Sequence, residues 1–162
     1  FTHTKHWEVE ITQRTVKPIA IKQSQHRWYL IAQDNKDNKV KNFGFDRITD
    51  FKITDTKFKP INFNVEENYQ HAFGIETYVP AEKIVLQFSW KQGNYIKSFP
   101  LHSSQKIISD TKKELVIELF IHPTYDFIMD LMRYDSEVKV LEPQSLQEEI
   151  KKRIKAMMKI YK

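Results

Sequence analysis

The sequence predicts an α+β chain in two modules. A small β-barrel fills residues 1–60, and a βαββαβ unit with an added C-terminal helix fills residues 81–162, with residues 61–80 as a connector. Three observations predict this. Short alternating apolar runs crowd the first sixty residues, strand and helix periods alternate after Pro80, and the charge changes sign along the chain. Residues 1–60 carry 12 Lys/Arg against 7 Asp/Glu, residues 61–142 carry 8 against 12, and residues 143–162 carry 6 against 2. A basic start, an acidic middle and a basic tail fit two modules better than one uniformly basic surface.

In the first module, Trp7, Val9 and Ile11 alternate with Glu8, Glu10 and Thr12, the period of a half-buried strand. Ile19 to Ile21 is a second short apolar run after Pro18. Arg27–Ala32 is a third strand, rich in aromatic and β-branched residues, and the polar cluster Gln33–Asn38 turns it back into Val40–Arg47. Ile48, Phe51 and Ile53 continue as core positions of Ile48–Thr54. About five short strands in so short a stretch predict a strongly bent barrel, because closure protects the edges of a small sheet. In the connector, Phe58, Phe63, Tyr69 and Phe73 are scattered anchors, and Glu66–Phe73 has room for two helical turns before Gly74.

In the second module, Ile84, Leu86 and Phe88 alternate as a strand, and Tyr95–Phe99 reads as one or two helical turns. Gln105–Ile108 and Leu115–Ile121 form a hairpin across Ser109–Lys112. Pro123 precedes Phe127, Ile128, Leu131, Met132 and Tyr134 at helical spacing, and Val138–Leu141 is a last strand. This order is that of a ferredoxin-like unit. After Pro143 a final helix carries Leu146, Ile150, Ile154, Met157 and Tyr161 on one face, ringed by lysines. Such a face packs on its own sheet, on a partner subunit, or on a membrane surface.

Composition excludes several chemistries. Three glycines cannot build a Gly-rich phosphate loop, so no nucleotide cofactor is expected. The absence of cysteine removes disulfides, thiol nucleophiles and thiolate zinc sites, and fits a reducing, cytoplasmic setting. No apolar run approaches the roughly 18 residues of a membrane span. His71, His102 and His122 are dispersed, no HExxH occurs, and no glycine-framed elbow surrounds Ser103 or Ser104. Neither a metal site nor an enzyme is predicted. The chain starts at Phe1 without a signal-peptide pattern, which leads us to expect a piece of a longer protein.

What remains is the stretch around His26–Ala32. In a strand, Trp28 and Leu30 point one way and Tyr29 the other. The larger burial gain favours Trp28 and Leu30 inside, leaving Tyr29 outside with Arg27 and Ile31. The alternative puts Tyr29 inside with its hydroxyl bonded to backbone. An outward Tyr29 flanked by Arg27, Lys41 and Arg47 suits a nucleotide or another anion: the ring stacks and the guanidinium forks onto phosphate. The bland alternative pairs Arg47 with Asp46 or Asp50 at the surface.

Trp28-Tyr29-Leu30, together with Lys41–Ile48, resembles the WYL domain and its second motif, usually Arg-x-Phe-Arg-Leu-Asp-Arg-Ile. Residues 82–142 resemble the extension that follows WYL domains, notably at Leu101–Gln105 and Val138–Pro143. The resemblance implies an Sm-like, SH3-type barrel followed by a ferredoxin-like domain. It also implies a ligand-sensing part of a bacterial transcriptional regulator that reaches DNA through a helix-turn-helix domain ahead of Phe1. The alternative, read from the C-terminal helix and the acidic middle, is a homodimerisation scaffold without a ligand of its own. Carried over by residue, the ligand site falls on His26, Tyr29, Lys41 and Arg47, with nucleic acid or a nucleotide-like anion as ligand. Gly44 stands where a family arginine is expected, so one cation of that site is missing.

Overall fold

The hairpin predicted around Arg27 is the frame of the first half, in a computed structural model that describes residues 1–4 and 11–161. β3 (Val16–Ser24) and β4 (Arg27–Asp34) pair antiparallel, and β5 (Val40–Gly44) joins the other side of β4. The β3–β4 turn is Gln25-His26, with φ of 47° and 65°. Positive φ at both central residues is the turn whose twist matches paired strands. At the other end Asp34 Oδ1 accepts from the Lys36 amide and Asp37 Oδ1 from the Lys39 amide, side chains doing the work of a backbone turn.

A second sheet orders β2 (Ile11–Gln13), β1 (Thr2–Thr4) and β6 (Ile48–Thr49), all antiparallel. A single 3₁₀ turn, Phe45–Arg47, carries the chain from β5 into β6. Leu30, Ala32 and Phe43 form the buried core of this half, with Phe1, Val16 and Ile48 packed against it. Among the described residues the pairing is thus two three-stranded sheets rather than one closed ladder. The alternation at Trp7 and Val9 lies outside the described residues.

Three expected core positions are corrected here. Trp28 is 53% exposed, and Ile31, expected outside, is fully buried. The reason is register: β5 ends where Gly44 faces Tyr29, so Trp28 lies beyond the last β5 partner, with no paired residue across that side among the described residues. Phe51 and Ile53 are also exposed, because regular pairing stops at Thr49 and the chain runs on without secondary structure to residue 64.

The chain divides into two compact units, Phe1–Asn68 and Tyr69–Lys162, with the short helix α1 (Val65–Tyr69) at the division. The second unit runs β7 (Glu82–Ser89), α2 (Trp90–Ser98), β8 (Lys106–Asp110), β9 (Glu114–Ile121), α3 (Tyr125–Met132), β10 (Val138–Glu142) and α4 (Gln144–Ile160). Its antiparallel sheet has the order β10-β7-β9-β8. Ile84, Leu86 and Phe88 of β7 and Leu115, Ile117, Leu119 and Ile121 of β9 meet Ile96 of α2 and Phe127 and Leu131 of α3 in one core. The expected alternation at 84–88 is therefore present.

α2 starts five residues earlier than Tyr95, capped by the Ser89 hydroxyl, which accepts from the Gln92 amide. Gly93 sits inside it because a Cβ there would lie 2.6 Å from the Leu115 Cβ; the close approach of helix and sheet needs glycine. Leu146 and Ile150 bring the first half of α4 onto the core, but Ile154, Met157 and Tyr161 on the same face are exposed. They line a groove of about 750 Å³ with Leu131, Val138 and Val140. No described helix is long and apolar enough to cross a membrane.

Candidate functional site

The β3-β4-β5 register decides which predicted site residues meet. Tyr29 pairs with Lys22 on one side and with Gly44 on the other, and directly paired residues share a face. Tyr29 is half-buried. Across Gly44 lies the head of Arg47: a Cβ on Gly44 would stand 2.8 Å from Arg47 Nη2, 3.0 Å from its Nε and 2.6 Å from Asp46 Oδ1. The guanidinium from the 3₁₀ turn thus occupies the side-chain space that Gly44 leaves empty, next to Tyr29.

Arg47 is partly held. Its Nε is 3.8 Å from Asp46 Oδ1, an ion-pair distance but too long for a hydrogen bond, and that Nε is shielded from solvent with no hydrogen-bond partner among the described residues. Asp46 gives its other oxygen to Arg27 Nη1 at 2.9 Å. One carboxylate therefore stands between two guanidinium groups, and Lys22 is paired with Tyr29 on the neighbouring strand. An unsatisfied buried donor costs about 1–3 kcal/mol.

Lys41 is not part of this group. It pairs with Ala32, two residues from Phe43, and so lies on the Leu30–Ala32 face, opposite Tyr29. Its ammonium is 2.8 Å from Asp34 Oδ2 and 2.7 Å from Asp37 Oδ2. Arg14 Nη1 closes on the same Asp34 oxygen at 3.0 Å. Burial pushes the Asp34 carboxyl up, but Lys41, the Lys36 amide and Arg14 outweigh it and hold the group below its usual 3.8. Burial likewise pulls Lys41 down, and its bonds to Asp34 and Asp37 outweigh that and raise it. Lys41 thus ties down the β4–β5 turn on the face opposite Tyr29, apart from the other predicted ligand residues. His26 sits exposed at the tip of the β3–β4 turn, two residues along the strand from the ring-bearing Trp28.

Lys22 was missed because β3 offers no motif of its own; only the strand pairing brings it beside Tyr29. Its position in the alternation of Val16–Ser24 was the available signal. The tempting His102–Ser104 pair is real as a contact, with Nδ1 2.8 Å from Oγ. Yet Nδ1 also accepts from the Ser104 amide, and the Ser104 oxygen accepts from the Phe120 amide at 3.0 Å. This hydroxyl ties a loop to the end of β9. No group of three or more metal-ligating side chains occurs among the described residues.

Comparison with known proteins agrees with this division. Residues 1–53 match the WYL domain and residues 80–158 match the WCX domain. The chain belongs with the WYL-domain proteins, carrying a WYL domain followed by a WCX domain. Among solved structures it is similar to proteasome accessory factor B/C (PafBC) of Arthrobacter aurescens, at 19% identity and a TM-score of 0.40. That likeness covers 96% of this chain and 24% of the other, so this chain spans about a quarter of its length. No curated protein matches the sequence.

Proposed function

We propose that this chain is the ligand-sensing part of a transcriptional regulator, with a nucleic acid or nucleotide-like anion bound at Tyr29, Arg47, Lys22, Arg27 and His26. The observation that carries it is the Arg47 head laid over Gly44 beside Tyr29, ion-paired with Asp46 at the edge of that ring. The part of the Arg47 side chain that stays open, 17% of it, offers a phosphate a charged donor, and the ring supplies a stacking face. On this reading the first unit is an Sm-like barrel and the second a ferredoxin-like domain, the latter supported by the order β10-β7-β9-β8. The chain works without catalysis, in the cytoplasm, and signals to a DNA-binding helix-turn-helix domain elsewhere in its protein. Signalling requires that the ligand bind two arrangements of the units with different affinity.

A labelled oligothymidylate tests the site. Arg47→Ala is expected to weaken binding about 10- to 100-fold, the range of a lost charge-assisted hydrogen-bond pair. The wild-type affinity is expected to fall steeply between about 50 and 200 mM salt. Unchanged affinity in Arg47→Ala, with the fold intact by circular dichroism, sinks the assignment.

A specific observation favours a homodimer as well. The exposed Ile154, Met157 and Tyr161 beside an apolar groove leave half of α4 uncovered. In an antiparallel pairing of two α4 helices, Glu148 of one helix lies near the lysines at the far end of the other. Ile154→Asp is expected to convert a dimer to monomer in sedimentation velocity; a monomeric wild type at tens of micromolar removes this reading.

A further inference from the structure

The acidic second unit carries a basic, aromatic strip that the first unit's site does not account for. Residues 90–113 hold 5 lysines against 1 aspartate, whereas the rest of residues 69–142 holds 3 basic against 9 acidic residues. In the same strip Trp90, Tyr95 and Phe99 are 52%, 63% and 83% exposed. Scattered surface aromatics are ordinary, but three on one nine-residue helix and its cap, all turned outward, are not explained by packing. The buried side of α2 is made by Gly93 and Ile96 alone.

The start of α2 and Lys97 adjoin the β8–β9 hairpin. The Trp90 amide donates to the Lys113 carbonyl at 3.0 Å, and Lys97 Nζ reaches Asp110 Oδ2 at 2.8 Å, so α2 lies along the β8–β9 hairpin. Lys91 on the helix and Lys106, Lys112 and Lys113 on the hairpin are all exposed. We infer that α2 and the β8–β9 hairpin form a second contact surface for single-stranded nucleic acid, with Trp90, Tyr95 and Phe99 as stacking faces and the lysines on the phosphates. Lysine charge alone would fit any acidic partner. Three exposed rings interleaved with it favour a polyanion whose own units are flat and stackable. The surface stands on its own observations and does not depend on the site at Tyr29.

The test uses the full chain and single-stranded DNA bearing 5-bromodeoxyuridine, cross-linked by light and mapped by peptide mass spectrometry. Cross-links to residues 90–99 that persist in Arg47→Ala are expected. Trp90→Ala with Tyr95→Ala is expected to lower affinity about tenfold or more without shifting the melting temperature, since both side chains are exposed. Cross-links confined to residues 22–47 overturn the inference while leaving the Tyr29 site standing; cross-links confined to 90–99 do the reverse. Unchanged affinity in the double variant overturns it. So does equal competition by polyglutamate, or a dimer that the double variant breaks while DNA binding is kept, which assign the strip to an acidic protein surface.

Discussion

At the scale of single residues, the site turns on an absent side chain. Gly44 has φ −65° and ψ 130°, ordinary extended backbone, so its glycine is not required by conformation. It is required by the Arg47 head lying across it. Gly44→Ala therefore costs the fold little, and reduced freedom of the unfolded chain offsets part of that cost. The added methyl displaces Arg47 and Asp46, both flexible side-chain ends. The expected outcome is an unchanged urea midpoint with oligothymidylate affinity weakened toward that of Arg47→Ala; full affinity would show that the guanidinium's present position is immaterial. Asp34 is the opposite case, a residue whose charge the fold needs. It is 1% exposed and holds Arg14 and Lys41. Asp34→Asn is expected to cost about 2 kcal/mol in urea titration, below the 3–5 kcal/mol of a fully buried pair because Lys41 reaches solvent. Ligand affinity at subsaturating denaturant should not change, since Lys41 is on the other face. Strand period two already placed Lys41 with Phe43 and so away from Tyr29; grouping it with Arg47 overlooked the 3₁₀ turn, which changes the parity between positions 44 and 47.

At the scale of elements, the β3–β4 hairpin shows where local preference and native geometry disagree. Its turn needs left-handed backbone at two positions, yet uses Gln25 and His26 where Asn and Gly are the ordinary choice. Each such residue carries roughly 1 kcal/mol of strain. Gln25→Asn with His26→Gly is thus expected to raise stability by about 1 kcal/mol, read from the urea midpoint. If His26 touches the anion, the same variant binds more weakly despite being more stable; equal binding would remove His26 from the site. The turn itself was not legible, because the sequence there lacks every usual turn signal, whereas the Gln33–Asn38 turn announced itself through its Asn and Asp residues. The same contrast holds in the second unit. β7, β9 and α3 were readable because their apolar residues repeat at the strand or helix period. α2 was half missed, since Gly93 argues against a helix until Leu115 is seen pressed against it. Residues 51–53 read as core because Phe and Ile alternate, but a pattern finds no core when no strand is left to pair with.

At the scale of the molecule, the two units answer acid differently. In the first, Asp34 lies below its usual 3.8 through Lys41, the Lys36 amide and Arg14, despite burial. A carboxyl lowered in the folded state contributes stability above its unfolded value and loses it as pH falls through the folded one. The first unit should therefore stay level on acidification until about pH 4 and then weaken. In the second, burial first and the nearby His71 next hold His102 below its usual 6.5. A histidine kept neutral makes the folded state lose ground as soon as pH drops beneath 6.5, the point where the unfolded chain begins to take up the proton. Glu76 and Asp130 act in the other sense. Burial raises both, with Asp126 adding to Glu76, so their stabilising effect is present in acid and is lost as pH rises through their folded values. As pH falls, the loss from His102 and the gain from these two carboxyls oppose each other, which predicts a shallower response for the second unit than the late, steep loss of the first. Urea titrations at about pH 7.5, 5.5 and 3.5 separate them, with Trp90→Phe leaving only the first unit's Trp7 and Trp28 as reporters. The Trp90→Phe midpoint should be equal at the two higher pH values and drop at the lowest. His102→Gln should leave the carboxyl contribution unopposed, so that the second unit's midpoint rises between about pH 7.5 and 5.5, seen with Trp90 as the remaining reporter in Trp7→Phe/Trp28→Phe. A first unit that weakens already at about pH 5.5 would mean that Asp34 is not the group on which its acid stability rests.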